Sequence, residues 1–544
     1  MSVRDRWYQD AVVYCLDVET YHDANGDGVG DFGGLAAKLD HVAGLGATCV
    51  WLLPFYPTPN RDNGYDVMDH YGVDPRLGTL GDFVDFMRAA EERGLRVIVD
   101  LVVNHTSDQH PWFQEARDPN SPKHDWYVWS DEKPEDHDEG MIFPGQQETT
   151  WTYDRKAKRY YLHRFYEHQP DLNIANPAVR REIERAMGFW LRLGVSGFRI
   201  DAAPFLIEHK GIEGGSGKAD PYEYLRDFRT FLQWRRGDAV LLAEANVDPE
   251  KVPHYFGDGD KLHMLFNFVL NQHLFLALAR QSKAPLERGI LTPPAPPAAG
   301  QWATFLRNHD ELALGRLTEA QRAEIAEAFA PDREGMWLYN RGPRRRLPPM
   351  LGGDAARVRM AYSLLLSLPG TPVVRYGEEI GMADDLSLPE RTAVRTPMQW
   401  SEHKNAGFSA SDEPIRPPID SGPFRYEVVN VDRQRREPDS LLMWMERAVR
   451  ARKEADVFGR GAWHLVDTDH EAVFAHVCER DGVAVAAVHN LSGEEAGATL
   501  DLSSYAGRTS LDLLDPGDEA PPIEDGTLSI TLAPYGFRWL RLER

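Results

Sequence analysis

Two acidic residues close short apolar runs and set the chemistry to be explained: Asp201 ends GFRID and Glu244 ends AVLLAE. Two carboxyl groups about 5 Å apart cleave a glycosidic bond with retention, one attacking the anomeric carbon and the other protonating the leaving oxygen. Neighbouring strands supply that separation when each delivers one acid to the same rim. Arg199 lies two residues before Asp201, and strand alternation turns both to one side, where the guanidinium keeps a nucleophile ionised and oriented. A third acid, Asp310, follows His309 in FLRNHDEL. Mutual repulsion raises the pKa of whichever acid lacks a cationic partner. Glu244 is expected to be that acid, because no Arg or Lys adjoins it in sequence, and a raised pKa is what a general acid requires. Asn104 and His105, ending LRVIVDLVVNH, add donors for sugar hydroxyls and developing charge. Each acid taken singly has a plainer reading, as a helix cap or an arginine partner.

Such residues need a frame that brings strand ends together. Short β-rich runs alternate with longer amphipathic segments up to about residue 385: Ala11 to Leu16, Ala47 to Leu53, Leu95 to Asp100, Gly197 to Asp201, Ala239 to Glu244, Leu262 to Phe268, Gln301 to Leu306 and Thr371 to Tyr376. Eight such units predict an α/β fold, a (β/α)8 TIM barrel whose strand C-termini share one face. A stretch rich in Asp, Pro, Trp and Tyr after the third strand is too long for a strand-to-helix loop and reads as an inserted subdomain over the barrel mouth. Pro285 to Gly300 reads as a stiff connector and Gly377 to Pro423 as extended loop. From about Gly461, runs such as AVFAHV, VAVAAVHNL and TLSITL predict an antiparallel C-terminal β-sandwich. The expected organisation is a barrel over 1–105 and 170–455, an inserted subdomain over 106–169 and a C-terminal domain over 456–544.

Charge narrows the ligand. The chain carries 61 Lys and Arg against 85 Asp and Glu, a formal net charge of −24, which repels phosphate backbones and disfavours nucleic acid as a partner. A neutral or cationic small molecule fits better. No apolar run is long enough to cross a bilayer, so no membrane partner is expected. The first ten residues, MSVRDRWYQD, lack the apolar core of a secretory signal, and the three cysteines Cys15, Cys49 and Cys478 read as reduced thiols. Both point to a cytoplasmic protein. Arg341, Arg344, Arg345 and Arg346 form the one basic cluster and are expected to pair with surrounding acids.

Asp23, Asn25, Asp27 and Asp31 in DANGDGVGDF space oxygen ligands at alternate positions, with Gly28 available for a turn, as a hard divalent cation requires. The twelfth loop position is Gly34 rather than a bidentate Glu, so this is not an EF-hand. An Asx-rich turn is the alternative.

In order, GATCVWLLP, DLVVNH, QPDLN, GFRIDAAP, LLAEAN, FLRNHDEL and GTPVVRYGEEIGM resemble the motifs of the α-amylase superfamily, glycoside hydrolase family 13, across essentially the whole chain. The resemblance implies Asp201 as nucleophile, Glu244 as acid/base and Asp310 as transition-state stabiliser. It implies Arg199, His105 and His309 as substrate contacts, and Tyr65 in NGYDVMDH as an aromatic platform for the reacting glucose. Asp62 and Arg395 resemble the pair that grips the terminal hydroxyl in exo-acting members, and Ala202 the small residue marking α-1,4 preference. A structural Ca2+ or Mg2+ site at Asp23, Asn25, Asp27, Asp31 and the Val29 carbonyl is implied too.

Long segments, among them WYQDAVVYCLDVETY, HRFYEHQPDLN and VRTPMQW, are similar to trehalose synthases, which interconvert maltose and trehalose. VVRYGEEIG departs from them by placing Arg375 where an aromatic residue is usual, and such departures point to the acceptor side of the pocket. Three readings stand: intramolecular glucosyl transfer on maltose or trehalose, an exo-acting α-1,4-glucosidase or intermolecular transglucosidase, and a catalytically silent barrel used for binding. Intact Asp201, Glu244 and Asp310 disfavour the third.

Overall fold

The computed structural model describes residues 6–208, 210, 219–515, 517 and 522–543; the reading of the first ten residues falls partly outside them. Eight strands, β1 (Val13–Leu16), β2 (Cys49–Leu52), β3 (Arg96–Leu101), β4 (Gly197–Ile200), β5 (Val240–Ala243), β6 (Met264–Phe266), β7 (Gln301–Phe305) and β8 (Thr371–Arg375), close into a barrel. Every pairing is parallel, and β8 returns to β1 with Val13 opposite Val373. The strands are buried on both faces, so they read as continuous apolar runs. Inward residues such as Trp51, Ile98, Leu242, Phe266 and Phe305 fill the barrel as a packed core.

Helices clothe the barrel where 3.6-residue periodicity gives them one apolar face. Pro177–Arg192 starts with Asn176 capping the Ala178 N–H and buries Val179, Ile183, Met187 and Trp190 at helical spacing. The expected connector after Pro285 is a helix over its first half, Lys283–Leu291. Pro285 is tolerated because it falls in the first turn, where its missing N–H costs nothing. Gly289 lets this helix approach its neighbour, since a Cβ there would lie 2.5 Å from Cβ of His273.

The insertion after β3 forms a three-stranded antiparallel sheet, with Arg159–Leu162 between Trp129–Ser130 and Trp151–Asp154. It is pinned at its base by a backbone bridge between His105 and Asp171. The C-terminal domain stacks a two-stranded sheet (Ala496–Asp501 with Thr527–Leu532) on a five-stranded one. Along Val473–Arg480, Val473, Ala475 and Val477 face the smaller sheet while Phe474 and Cys478 join the main core. Polar positions on this strand and on its neighbour Val483–Asn490 are buried as well: His476 Nε2 meets the Ser367 carbonyl at 2.9 Å and His489 Nε2 meets the Ser363 hydroxyl at 2.8 Å.

Among the described residues no helix is long and apolar enough to cross a membrane. The arginine cluster is neutralised as expected at Arg341 with Glu311, Arg345 with Asp384 and Arg346 with Glu378. Arg344 instead donates to the carbonyls of Gly335, Leu386 and Leu388.

Candidate active site

The carboxylates gather because adjacent parallel strands end at one level. Ile200 pairs with Ala243, so the next residue on each strand, Asp201 and Glu244, emerges at the same rim. The Ala203 N–H donates to the Glu244 carbonyl at 3.2 Å, tying the two segments together. Ala202 takes a left-handed conformation with φ 49°, a strained state for a residue with a Cβ, which breaks β4 sharply just past Asp201.

Arg199 is the hub. Its Nη1 donates to Asp201 Oδ1 and Asp100 Oδ1, both at 2.6 Å, while Nη2 donates to Glu244 Oε2. One guanidinium fork thus spans both expected catalytic acids, making their facing oxygens near neighbours. Spacing along the chain predicts no cationic partner for Glu244, and the structure corrects that expectation: the partner, Arg199, comes from the neighbouring strand. The Glu244 pKa is nonetheless raised, to about 7, because burial disfavours the carboxylate and Asp201 and Asp310 repel it, against the opposing pull of Arg199. Its side chain remains the most open of the three acids, 27% exposed against 10% for Asp201 and 14% for Asp310.

Asp310 titrates in the opposite direction. Burial opposes its ionisation, but Arg391, Arg395 and Arg199 outweigh that and hold the carboxyl far below the usual range. Arg395 Nη2 donates to Asp310 Oδ1 at 2.8 Å and Arg391 lies 3.3 Å from the same oxygen. Arg395 therefore pairs with Asp310, not with Asp62, whose Oδ2 accepts from Gln169 Nε2 at 2.8 Å. Burial raises Asp62 to about 7 against the pull of Arg391 and Arg395.

Tyr65 stacks on His309 with ring centroids 5.7 Å apart and bonds its Nε2 through the hydroxyl at 2.7 Å. His105 Nε2 meets the Tyr65 carbonyl at 3.1 Å. Burial lowers the pKa of both imidazoles, so they serve as neutral hydrogen-bonding groups. Asn104 is spent on Lys210, which donates to its Oδ1 at 2.9 Å.

Tyr65, His105, Asp62, Asp201, Glu244 and Asp310 line one cavity of about 450 Å3, a size for a small ligand rather than a polymer. A clasp roofs it. Phe143 of the insertion packs on Tyr166 and Tyr339 with centroids 4.4 and 4.6 Å apart. The Tyr166 and Tyr339 hydroxyls both donate to Glu390 Oε2, at 2.9 and 3.2 Å. Arg391 lies 5.0 Å from the Phe143 ring centroid and bonds Glu311 Oε2 at 2.8 Å. Tyr339 and Glu390 share with Ala202 the left-handed backbone that is uncommon away from glycine, so strain collects around this cavity.

Several of these residues escaped the sequence argument. Asp100 had a signal, since it is the last acid of a strand run in phase with Arg199. Arg391, Glu390, Tyr339 and Phe143 had none, lying in irregular segments far apart in the chain. Arg375 does not line the cavity: it is 1% exposed, and its Nη1 donates to the Asn308 carbonyl at 3.0 Å.

The family model of the alpha amylase catalytic domain matches residues 18–461, and that of the maltogenic amylase C-terminal domain matches residues 464–539. The chain belongs to the α-amylase family. Within that family it is 45% identical to a trehalose synthase of Thermus thermophilus, over 99% of this chain and 56% of that protein. To a trehalose synthase of Pimelobacter sp. it is 41% identical, over 98% of this chain and 96% of that protein. The crystal structure of a trehalulose synthase superposes with a TM-score of 0.77 at 26% identity, covering 98% and 100% of the two chains. The chain thus spans just over half the length of the Thermus relative and nearly the whole of the Pimelobacter one.

The expected cation loop is held by its own hydrogen bonds. Asp23 accepts from the Gly26 and Gly28 N–H groups at 2.6 and 2.8 Å, Asp31 from Ala24 at 2.9 Å, and Asp27 from Val29 at 2.9 Å. Among the described residues no three His, Cys, Asp or Glu side chains converge to hold a metal unaided. The Asn25 amide and the Val29 carbonyl would have to complete the set, and that all-oxygen donor chemistry suits a hard cation.

Proposed function

We propose that this protein is a retaining α-glucosyl-transferring enzyme that isomerises maltose and trehalose within one closed site. The carrying observation is the cavity of about 450 Å3 around Asp201, Glu244 and Asp310, bordered by Phe143 of the insertion. In this reading Asp201 attacks the anomeric carbon as Glu244 gives its proton to the leaving oxygen, leaving a glucosyl ester and free glucose. The ionised Asp310 accepts from sugar hydroxyls in the distorted ring, and Tyr65 packs on its apolar face. The glucose stays under the clasp, turns, and attacks through its anomeric hydroxyl while Glu244, now a carboxylate, takes the proton back. Water exclusion by the Phe143, Tyr339 and Glu390 roof is what separates transfer from hydrolysis.

Incubation with maltose, followed by chromatography or NMR of the products, tests this. Trehalose formed ahead of free glucose is expected; glucose alone would replace the reading with an exo-acting α-1,4-glucosidase, and mixed oligosaccharides with an intermolecular transglucosidase. Three free, buried cysteines support placing the protein in the cytoplasm. We also assign the loop of Asp23, Asn25, Asp27, Val29 and Asp31 to a structural Ca2+ or Mg2+. A chelator-induced fall in Tm, reversed by added cation and missing in Asp27→Ala, is expected; a Tm indifferent to chelation would remove the assignment.

A further inference from the structure

On the outer wall of the barrel, one groove carries a charge opposite to that of the chain. It lies between the helices Pro177–Arg192 and Glu223–Arg235, which lead into β4 and β5, and encloses about 440 Å3. Arg181, Arg185 and Arg192 line it from the first helix and Arg235 from the second, against a single acid, Glu184, among the described residues. Net charge over the whole chain is −24, which repels anions in general, so four arginines gathered here make a local inversion. On the first helix Arg181, Glu184, Arg185, Gly188 and Arg192 fall at i, i+3, i+4, i+7 and i+11, one helical face. Gly188 lets the second helix close on that face, since a Cβ there would lie 3.2 Å from Cζ of Phe231.

Little of this positive charge is spent within the protein. Arg181 closes no ion pair and no hydrogen bond among the described residues. Arg235 lies over the Phe231 ring, 5.0 Å from its centroid, and has no ion pair of its own among them. Arg192 gives its Nε to the Gly188 carbonyl of its own helix at 3.2 Å, and Arg185 pairs at 2.8 Å with Glu182, which does not line the groove. Glu184 offsets the arginines only in part: burial and the nearby Asp227 raise its pKa against the pull of Arg180, Arg181 and Arg235. Arg192 and Arg235 stand in the last turns of their helices, where a cation complements the helix dipole. That accounts for two of the four. Arg181 and Arg185, one turn apart on a single helix, repel each other, and an anion between them would relieve it.

We propose that this groove binds a small molecule bearing a pyrophosphate group, held by Arg181, Arg185, Arg192 and Arg235. Guanidinium forks match phosphate oxygens bidentately. Four guanidinium groups against one carboxylate leave an excess larger than the charge of about −1.5 to −2 on a single phosphate ester, so two adjoining phosphates balance it better. Trp234, 85% exposed, precedes Arg235 and stands one turn from Phe231. Its free ring is a surface on which a base attached to that pyrophosphate would stack. The ligand would bridge the two helices that lead into the strands of Asp201 and Glu244, at a distance from the sugar cavity.

The test is calorimetric titration of the full chain with pyrophosphate, ATP, inorganic phosphate and sulfate, at matched ionic strength and fixed free Mg2+. Expected is one saturable site for pyrophosphate and ATP, with phosphate and sulfate weaker by about tenfold or more. The double variant Arg181→Gln with Arg235→Gln should lose about tenfold or more in affinity for both while circular dichroism and Tm stay unchanged. Both side chains are exposed, so the fold does not depend on them; should the double variant still misfold, Arg181→Gln alone carries the comparison. Tighter binding of ATP than of pyrophosphate, lost in Trp234→Ala, assigns the site to a nucleotide, and equal binding assigns it to pyrophosphate itself. No saturable binding of either, an equal response to all four anions, or undiminished affinity in the arginine variant would overturn the proposal. The groove stands apart from the isomerase reading, since a failure here leaves the maltose product test untouched.

Discussion

At the rim where β3, β4, β5 and β7 end, Arg199 holds Asp100, Asp201 and Glu244 while Arg391 and Arg395 hold Asp310, and Tyr65 and His309 join the two groups. Where the C-terminal sandwich meets the barrel, Phe474, Val485 and Trp539 are buried together, and the Trp539 Nε1 proton finds the Ser363 hydroxyl at 3.0 Å. Both regions exclude water, but only the first confines like charges whose burial makes their protonation states interdependent. The second converts the same exclusion into cohesion, through area removed from water and polar atoms given local partners. Activity and stability should therefore respond to different residues.

The largest effect that would sharpen this contrast is at Asp201. Asp201→Ala is expected to lower kcat on maltose by about 10⁴-fold or more while circular dichroism shows a native fold; a tenfold loss would break the assignment. Glu244→Gln should cost about 10²–10⁴-fold on maltose and far less in the first step with an activated aryl glucoside, which leaves without a proton. Rapid-mixing kinetics on the two substrates checks this, and equal losses would reassign the acid.

The pH profile carries the sign of the same argument. Glu244 works as an acid only while protonated, and its pKa is raised to about 7. Activity is therefore lost on the alkaline side as pH climbs through that value. Glu244→Gln should abolish this limb in its residual activity; a limb unchanged in the variant would trace it to another group.

Trp539→Ala probes the other region. It should destabilise the chain by about 3–5 kcal/mol, read by denaturant unfolding, with kcat/KM per folded molecule unchanged. Smallest is the clasp. Tyr339→Phe removes one of two hydroxyls on Glu390, an interaction of about 0.5–1.5 kcal/mol, and should raise the fraction of maltose hydrolysed rather than isomerised a few-fold. An unaltered ratio of glucose to trehalose would detach the roof from water exclusion.

How far the molecule was legible in its sequence follows the same division. The eight barrel strands were visible because parallel strands buried on both faces read as unbroken apolar runs, and several stop at the very acids that reach the rim. Asp201 and Arg199 were visible together because alternation within one strand is local. Glu244 was misjudged because its cation arrives from the neighbouring strand, a contact that spacing along the chain does not carry. Phe143, Tyr166, Tyr339 and Glu390 were illegible for a stronger form of that reason, since irregular backbone has no period and their meeting depends on how the insertion lies over the barrel. The helix at Lys283–Leu291 was lost to its proline, whose position in the first turn makes it harmless.

Double displacement through Asp201 is tested most directly by trapping the covalent intermediate. The protein is incubated with a fluorinated glucosyl fluoride that forms the ester quickly and releases it slowly, then digested and mapped by mass spectrometry. A single glucosyl adduct on the peptide bearing Asp201, absent from Asp201→Ala, is expected. An adduct on another acid, or none alongside a first product of inverted anomeric configuration, would contradict it.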